Sequence, residues 1–128
     1  MDYTFHRQVP GTVDDVAERV KEALKSEGFG VLSEIDLAGT LKAKIDADLP
    51  PYRILGACNP PLAKRAVEAE PRIGVMLPCN VIVRDAGGGQ AEVAAINPSA
   101  PMATIGNPAL NEIARDVGER LKRVVDSF

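Results

Sequence analysis

The chain has a single histidine, His6, and only two cysteines, Cys58 and Cys79, among its 128 residues. A zinc site draws three or four ligands from Cys, His and carboxylate side chains. The two cysteines are not spaced C-x-x-C, and His6 lies far from both, so no metal and no cofactor is expected. One histidine also leaves little for nucleophilic catalysis. No G-x-S-x-G is present, and no pair of carboxylates is marked out for hydrolysis. No catalytic residue is assigned. The sequence lacks any run of about 18 apolar residues, so no membrane-spanning helix is expected. Met1-Asp2-Tyr3-Thr4 carries an acid and no apolar stretch follows, which argues against a signal peptide. The two thiols are therefore expected to be reduced, in the cytoplasm. There is no basic excess: 15 Lys and Arg stand against 18 Asp and Glu, a net charge of -3. Nucleic-acid surfaces need clustered Lys and Arg to meet phosphates, so that partner class is excluded.

What is present is the composition of one globular domain, assigned to residues 1–128. Hydrophobic residues make up 45% and charged residues 26%. A chain of this length buries roughly two-thirds of its unfolded surface, enough for a core without disulfides or metal. Disorder would need lower hydrophobicity and a larger net charge.

Residues 2–9 read as a strand with Tyr3, Phe5 and Arg7 on one face. Pro10-Gly11 is a turn. Thr12 then caps a helix whose first turn holds Asp14 and Asp15, where the dipole favours acids. Val13, Val16, Ala17, Val20 and Leu24 form its apolar stripe, and Gly28 suits its C-terminal exit. Phe29, Val31, Ser33 and Ile35 alternate as a second strand. Asp36 caps a short helix bearing Leu37, Leu41 and Ile45, stopped by Pro50-Pro51. Residues 52–58 are a third strand. Asn59 caps the next helix, with Pro60-Pro61 in its first turn. Residues 74–84 read as a fourth strand, in which Pro78 predicts a bulge or an edge. Beyond it Cys79, Val81 and Val83 share one face, and Asn80, Ile82 and Arg84 the other. Gly87-Gly88-Gly89 is a hairpin tip rather than a phosphate loop, since no Gly-Lys-Ser/Thr follows. Ala91, Val93 and Ala95 continue as a fifth strand. Asn107-Pro108 opens the longest helix, with Leu110, Ile113, Ala114, Val117, Leu121 and Val124 as its stripe.

This order predicts an α+β fold: two layers, one mixed or antiparallel sheet of about five strands, and the two long helices on one face. The hairpin of the last two strands excludes an all-parallel sheet. The second sheet face then needs small helices or another subunit, which makes a homodimer the expected assembly.

Residues 52–83 carry a recognisable pattern. Its pieces are Gly56-Ala57-Cys58-Asn59-Pro60, Leu62-Ala63, Ala69-Glu70-Pro71, Ile73-Gly74 and Leu77-Pro78-Cys79-Asn80-Val81. Glu34-Ile35-Asp36, Leu41-Lys42, Asn97-Pro98 and Met102 fit as well. Over nearly its whole length the chain resembles the family known as domain of unknown function 302. The resemblance implies a topology like that of the TATA-box-binding protein, β-α-β(4)-α with short inserted helices. It also implies a small, cytosolic and dimeric protein. The family name records no activity, so no catalytic residue is carried over. Members often have His after Leu62-Ala63, where this chain has Lys64, so no role of that histidine transfers.

Five residues stand out as candidates for a site. Cys58 lies at the end of a strand before a helix start, where a dipole and free N–H groups would favour a thiolate. If the third and fourth strands are neighbours, Cys79 is close to it. The pair reads either as two buried small hydrophobes or as a thiol site for redox, sulfur or a soft metal. Asn59 and Asn80 read as a helix cap and a tie across a bulge, or as amides lining a pocket beside the thiols. Arg53, Lys64 and Arg65 read as a solvated helix face, or as cations that draw an anion to the start of the third helix. Met76 and Met102 read as core or loop anchors, and His6 as an edge position. The leading expectation is a non-enzymatic domain that binds a small molecule between the sheet and the last helix, near the ends of strands 52–58 and 74–84. The rivals are a thiol-dependent protein using Cys58 and Cys79, and a dimeric interaction module.

Overall fold

The computed structural model describes residues 2–128. Five strands, β1 (Thr4–Pro10), β2 (Gly30–Asp36), β3 (Tyr52–Cys58), β4 (Cys79–Gly87) and β5 (Gln90–Ile96), form one sheet in the order β1-β5-β4-β3-β2. Every pairing is antiparallel, so the sheet is antiparallel rather than mixed. The helices are α1 (Val13–Ser26), α2 (Leu37–Ile45), α3 (Pro60–Ala69), α4 (Ser99–Met102) and α5 (Pro108–Asp126). The fold is thus α+β, with α2 and α3 as short insertions between strands.

The long helices form where their stripes and caps predict. Thr12 accepts a hydrogen bond from Asp15 N, Asp36 from Gly39 N, and Asn107 from Ala109 N and Leu110 N. Gly28, at φ +85, takes the left-handed exit from α1 that a Cβ would strain. The stripes of α1 and α5 meet the inward side of β3, β4 and β5, where Leu55, Val81, Val83, Val93 and Ala95 are fully buried. At about 25 cal/mol per Å2, each of these Leu and Val side chains contributes roughly 1.5–3 kcal/mol relative to exposure, and Ala95 less.

Four local expectations are corrected. The fourth strand does not begin at Gly74. Pro71–Met76 winds as 3-10 helix and β4 begins at Cys79, so Pro78 precedes the strand rather than interrupting it. Besides a register shift between Asp85 and Gly87 at the hairpin end of β4, the bulge lies in β2, between Val31 and Ser33. One extra residue reverses the alternation. Ser33 and Ile35 therefore face away from the helices, and Glu34 faces them. The turns of α2 end before the prolines: Asp46, at φ 53, closes the helix in the left-handed region. Tyr3 precedes β1 and is exposed, while Phe5 packs against the core and Arg7 donates to Asp126 O at 3.1 Å.

On the other side of the sheet a row of residues crosses four strands: Ile35, Ile54, Ile82 and Ala94, with His6 beyond them on the edge. Ile35 is 45% exposed. None of the long helices lies on this face. Among the described residues no helix is long and apolar enough to cross a membrane.

Candidate functional site

The end of β3, the start of β4 and the facing sides of α3, α4 and α5 line a cavity of about 310 Å3. This is near the small end of small-molecule sites. Ala57 lies directly opposite Cys79 in the β3–β4 register. Cys58 is the last residue of β3, so both cysteines reach the cavity, Cys58 half-buried and Cys79 buried. Leu62 and Ala66 of α3 form one wall, Ile113 and Val117 of α5 another, and Met102 of α4 closes between them. The β2 bulge leaves Leu32 at the rim, 70% exposed. Among the described residues no charged side chain lines the cavity.

Asn59 is the one polar amide in that wall, and it is nine-tenths buried. Its Oδ1 accepts from Leu62 N at 3.3 Å and its carbonyl accepts from Ala63 N at 2.8 Å. Pro60 and Pro61 have no N–H. The N-terminus of α3 therefore offers no free donor: two are missing and two are taken by Asn59. This corrects the expectation that the helix start supports a Cys58 thiolate or an anion, since such support depends on unsatisfied N–H groups. Burial pushes the Cys79 thiol from 9.0 up to about 11, and the nearby Cys58 adds to that shift. Cys79 is a neutral thiol at neutral pH. Among the described residues no three His, Cys, Asp or Glu side chains form a metal-binding group.

The other candidates lie elsewhere. Asn80 follows inward-facing Cys79 and so points to the opposite side of the sheet, exposed, in a shallow concavity with Tyr52 and Ile82. It makes no tie across a bulge, because the β3–β4 ladder is regular there, with Asn80 opposite Gly56. Arg53 sits at the far end of β3 from Cys58, where it pairs with Asp14 at 2.7 Å and Glu34 at 3.0 Å. Lys64 pairs with Glu68. No anion site forms at α3 from these cations. His6 is exposed on an edge strand, with Nδ1 2.9 Å from Thr4 Oγ1. Met76 is exposed rather than core.

Sequence reasoning did not find Phe29, Leu32 or the α5 residues as site residues. Ile113, Ala114 and Val117 carry the same apolar periodicity whether they meet a packed core or an open cavity, so that pattern holds no separate signal.

No curated protein matches the chain. The crystal structure of the uncharacterized conserved protein DUF302 from Bacillus stearothermophilus is similar over its whole extent. It has a TM-score of 0.90 and 31% identity, and the match covers 98% of this chain and 98% of that one. A family model described as Domain of unknown function DUF302 matches residues 5–128. The chain belongs to the DUF302 family.

Proposed function

We propose that this domain binds a small, uncharged, predominantly apolar molecule in the cavity between the sheet, α3 and α5, and that it acts as a binding module rather than an enzyme. The observation that carries this reading is a cavity wall without a charge or a free helix N–H. An anion entering it would lose its hydration and find no partner, and an isolated buried charge is expensive. An apolar molecule gains the usual transfer free energy of about 25 cal/mol per Å2 removed from water. The same neutrality weighs against the thiol reading, because sulfur and soft-metal chemistry run through thiolates and burial keeps Cys79 protonated. Free thiols at both cysteines suit a reducing compartment, which supports a cytoplasmic setting.

The test uses an uncharged apolar dye that fluoresces when shielded from water, N-phenyl-1-naphthylamine. Saturable binding to the wild-type protein is expected. Ala66→Leu, which fills the cavity from α3, is expected to weaken it at least tenfold. Equal binding to both proteins, or none to either, would contradict the reading.

A second reading rests on a different observation, the Ile35-Ile54-Ile82-Ala94 row on the face that no long helix covers. A second copy of the chain, related by a two-fold axis, would cover it with the same row. Five strands about 4.8 Å apart and about 20 Å long give a footprint of roughly 400 Å2. Counted over both copies that is about 800 Å2, below the range of stable specific interfaces, so the dimer is expected to be weak and transient. The charged pair on this face, Arg84 and Glu92 at 2.9 Å, is already neutralised within each copy.

A further inference from the structure

The walls of the cavity are tied down unequally. Those on β3, β4, α3 and α5 belong to strand ladders or to helices of ten residues or more. Leu77 and Pro78 run straight into β4, and the Pro78 ring sits over Gly56. Met102 is held differently. It belongs to a strap, α4 followed by the 3-10 turn Ala103–Ile105, that joins β5 to α5. Among the described residues the hydrogen bonds of 99–105 close within the strap or on its first foot, and none reaches the sheet, α3 or α5. Ser99 N and Ala100 N donate to Asn97, Met102 N to Pro98 O, Ala103 N to Ser99 O, and Thr104 Oγ1 to Pro101 O. The two feet are pinned instead. Asn97 N donates to Tyr3 O at 2.7 Å, and Asn107 Nδ2 to Ala69 O at 3.0 Å. Gly106, at φ +72, stands just before the second foot in open space. What holds the strap down is apolar: Met102, 5% exposed in the cavity, and Ile105, partly buried against the core.

We propose that this strap is the adjustable wall of the cavity, with Met102 as its plug, and that the site takes uncharged chain molecules of isoprenoid size. This rests on the cavity being a binding site, and it adds where that site yields and to what. Close-packed walls give way little. Local opening starts where few ties hold the backbone to the rest. Methionine is unbranched and refits to irregular neighbours, so it can leave and re-enter at low cost. At interior packing density a cavity of about 310 Å3 takes roughly 230 Å3 of ligand atoms. A one-ring molecule such as toluene fits with Met102 in place. A fifteen-carbon isoprenoid alcohol such as farnesol does not. It displaces Met102, and the strap swings between Asn97 and Gly106 while α5 stays wound.

The test reads the burial of the plug. tert-Butyl hydroperoxide converts exposed methionine to its sulfoxide, and Met76, 40% exposed, is the internal reference. Sulfoxide formation at Met102 and Met76 is followed by mass spectrometry in the wild-type protein alone, with toluene and with farnesol. Both binding constants are measured by NMR titration. Met102 is expected to react slowly alone and within about twofold of that rate with toluene. Saturating farnesol should speed it at least tenfold, with Met76 unchanged. Met102→Ala removes the plug, so farnesol should bind it at least fivefold more tightly while toluene stays within about twofold. Should that variant fail to fold, the oxidation of the wild-type protein decides. If toluene binds but farnesol does not, or farnesol binds with Met102 still protected, the strap is a fixed wall; the proposal is overturned and the cavity reading stands. If neither molecule binds, both are overturned.

Discussion

Ala57 and Cys79 face each other across the β3–β4 ladder, and this register brings the Cys58 and Cys79 thiols to one cavity at the end of the sheet. Their environments differ. Cys58 is half-buried, whereas Cys79 is 8% exposed and its thiol is pushed up to about 11.

The first prediction follows from Cys79. In the native protein it keeps its proton to higher pH than in the unfolded chain. As pH rises past 9.0 the unfolded state loses the proton first, so its stabilising share is whole below that pH. It is lost progressively between about pH 9 and 11, amounting to about 2–3 kcal/mol by the usual conversion. Urea unfolding under reductant at pH 8 to 11 should show Cys79→Ala losing less stability over this range than the wild type. The same fall in both proteins would contradict it.

Gly56 is required because two neighbours close over it. A Cβ there would stand 2.3 Å from Ser33 Oγ and 2.7 Å from the Pro78 ring. Ser33 can rotate, but a proline ring cannot. Gly56→Ala is expected to destabilise by about 1–3 kcal/mol, as overpacking does. Gly74→Ala, where nothing lies within 4 Å, should change stability by about 0.5 kcal/mol or less. Denaturant midpoints compare the two, and equal effects would contradict the close approach.

The β2 bulge turns Glu34 toward Lys21 at 2.7 Å and Arg53 at 3.0 Å. Lys21 first, then Arg53, holds its carboxyl below the usual value of 4.5 despite partial desolvation. The contribution is present above that value and lost as pH falls through the lower native value. Glu34→Gln should cost about 1 kcal/mol or less at pH 7, since the group is partly exposed, and nothing at pH 2. A cost that persists at pH 2 would point to packing instead of charge.

The isoleucine row gives a prediction about assembly. Sedimentation over a range of concentrations should show a weak monomer–dimer equilibrium. Ile35→Glu should shift it to monomer at unchanged thermal stability, while Val75→Glu, at a residue 90% exposed in the 3-10 segment, should not. A wild-type chain that is monomeric throughout would remove the second reading.

Much of this fold was legible because local signals agree with the packing. Thr12, Asp36, Asn59 and Asn107 announce four helix starts, and the stripes of α1 and α5 announce their buried faces. The start of β4 was not legible. Ile73, Val75 and Met76 form an apolar run too short to tell strand from 3-10 winding, and only the structure separates buried Ile73 from exposed Val75. The bulge at Leu32 carries no local mark, yet it decides the facing of Ser33, Glu34 and Ile35. Of the site candidates, Cys58, Asn59 and Cys79 come together because strand register and a cap adjoin. Asn80 separates from them by the alternation of one strand, and Arg53 by the length of another. The place of the cavity, between the last helix and the ends of the third and fourth strands, was legible, but its lining was not, since an apolar lining and an apolar core are written with the same residues.

The cavity is expected to take an uncharged apolar molecule. Methyl NMR during titration with toluene tests it most directly. Saturable shifts confined to Leu62, Ile113 and Val117 in the cavity wall are expected, with no response there to benzoate. Shifts confined to Ile35, Ile54 and Ile82 on the opposite sheet face, or benzoate binding in the cavity in preference to toluene, would contradict it.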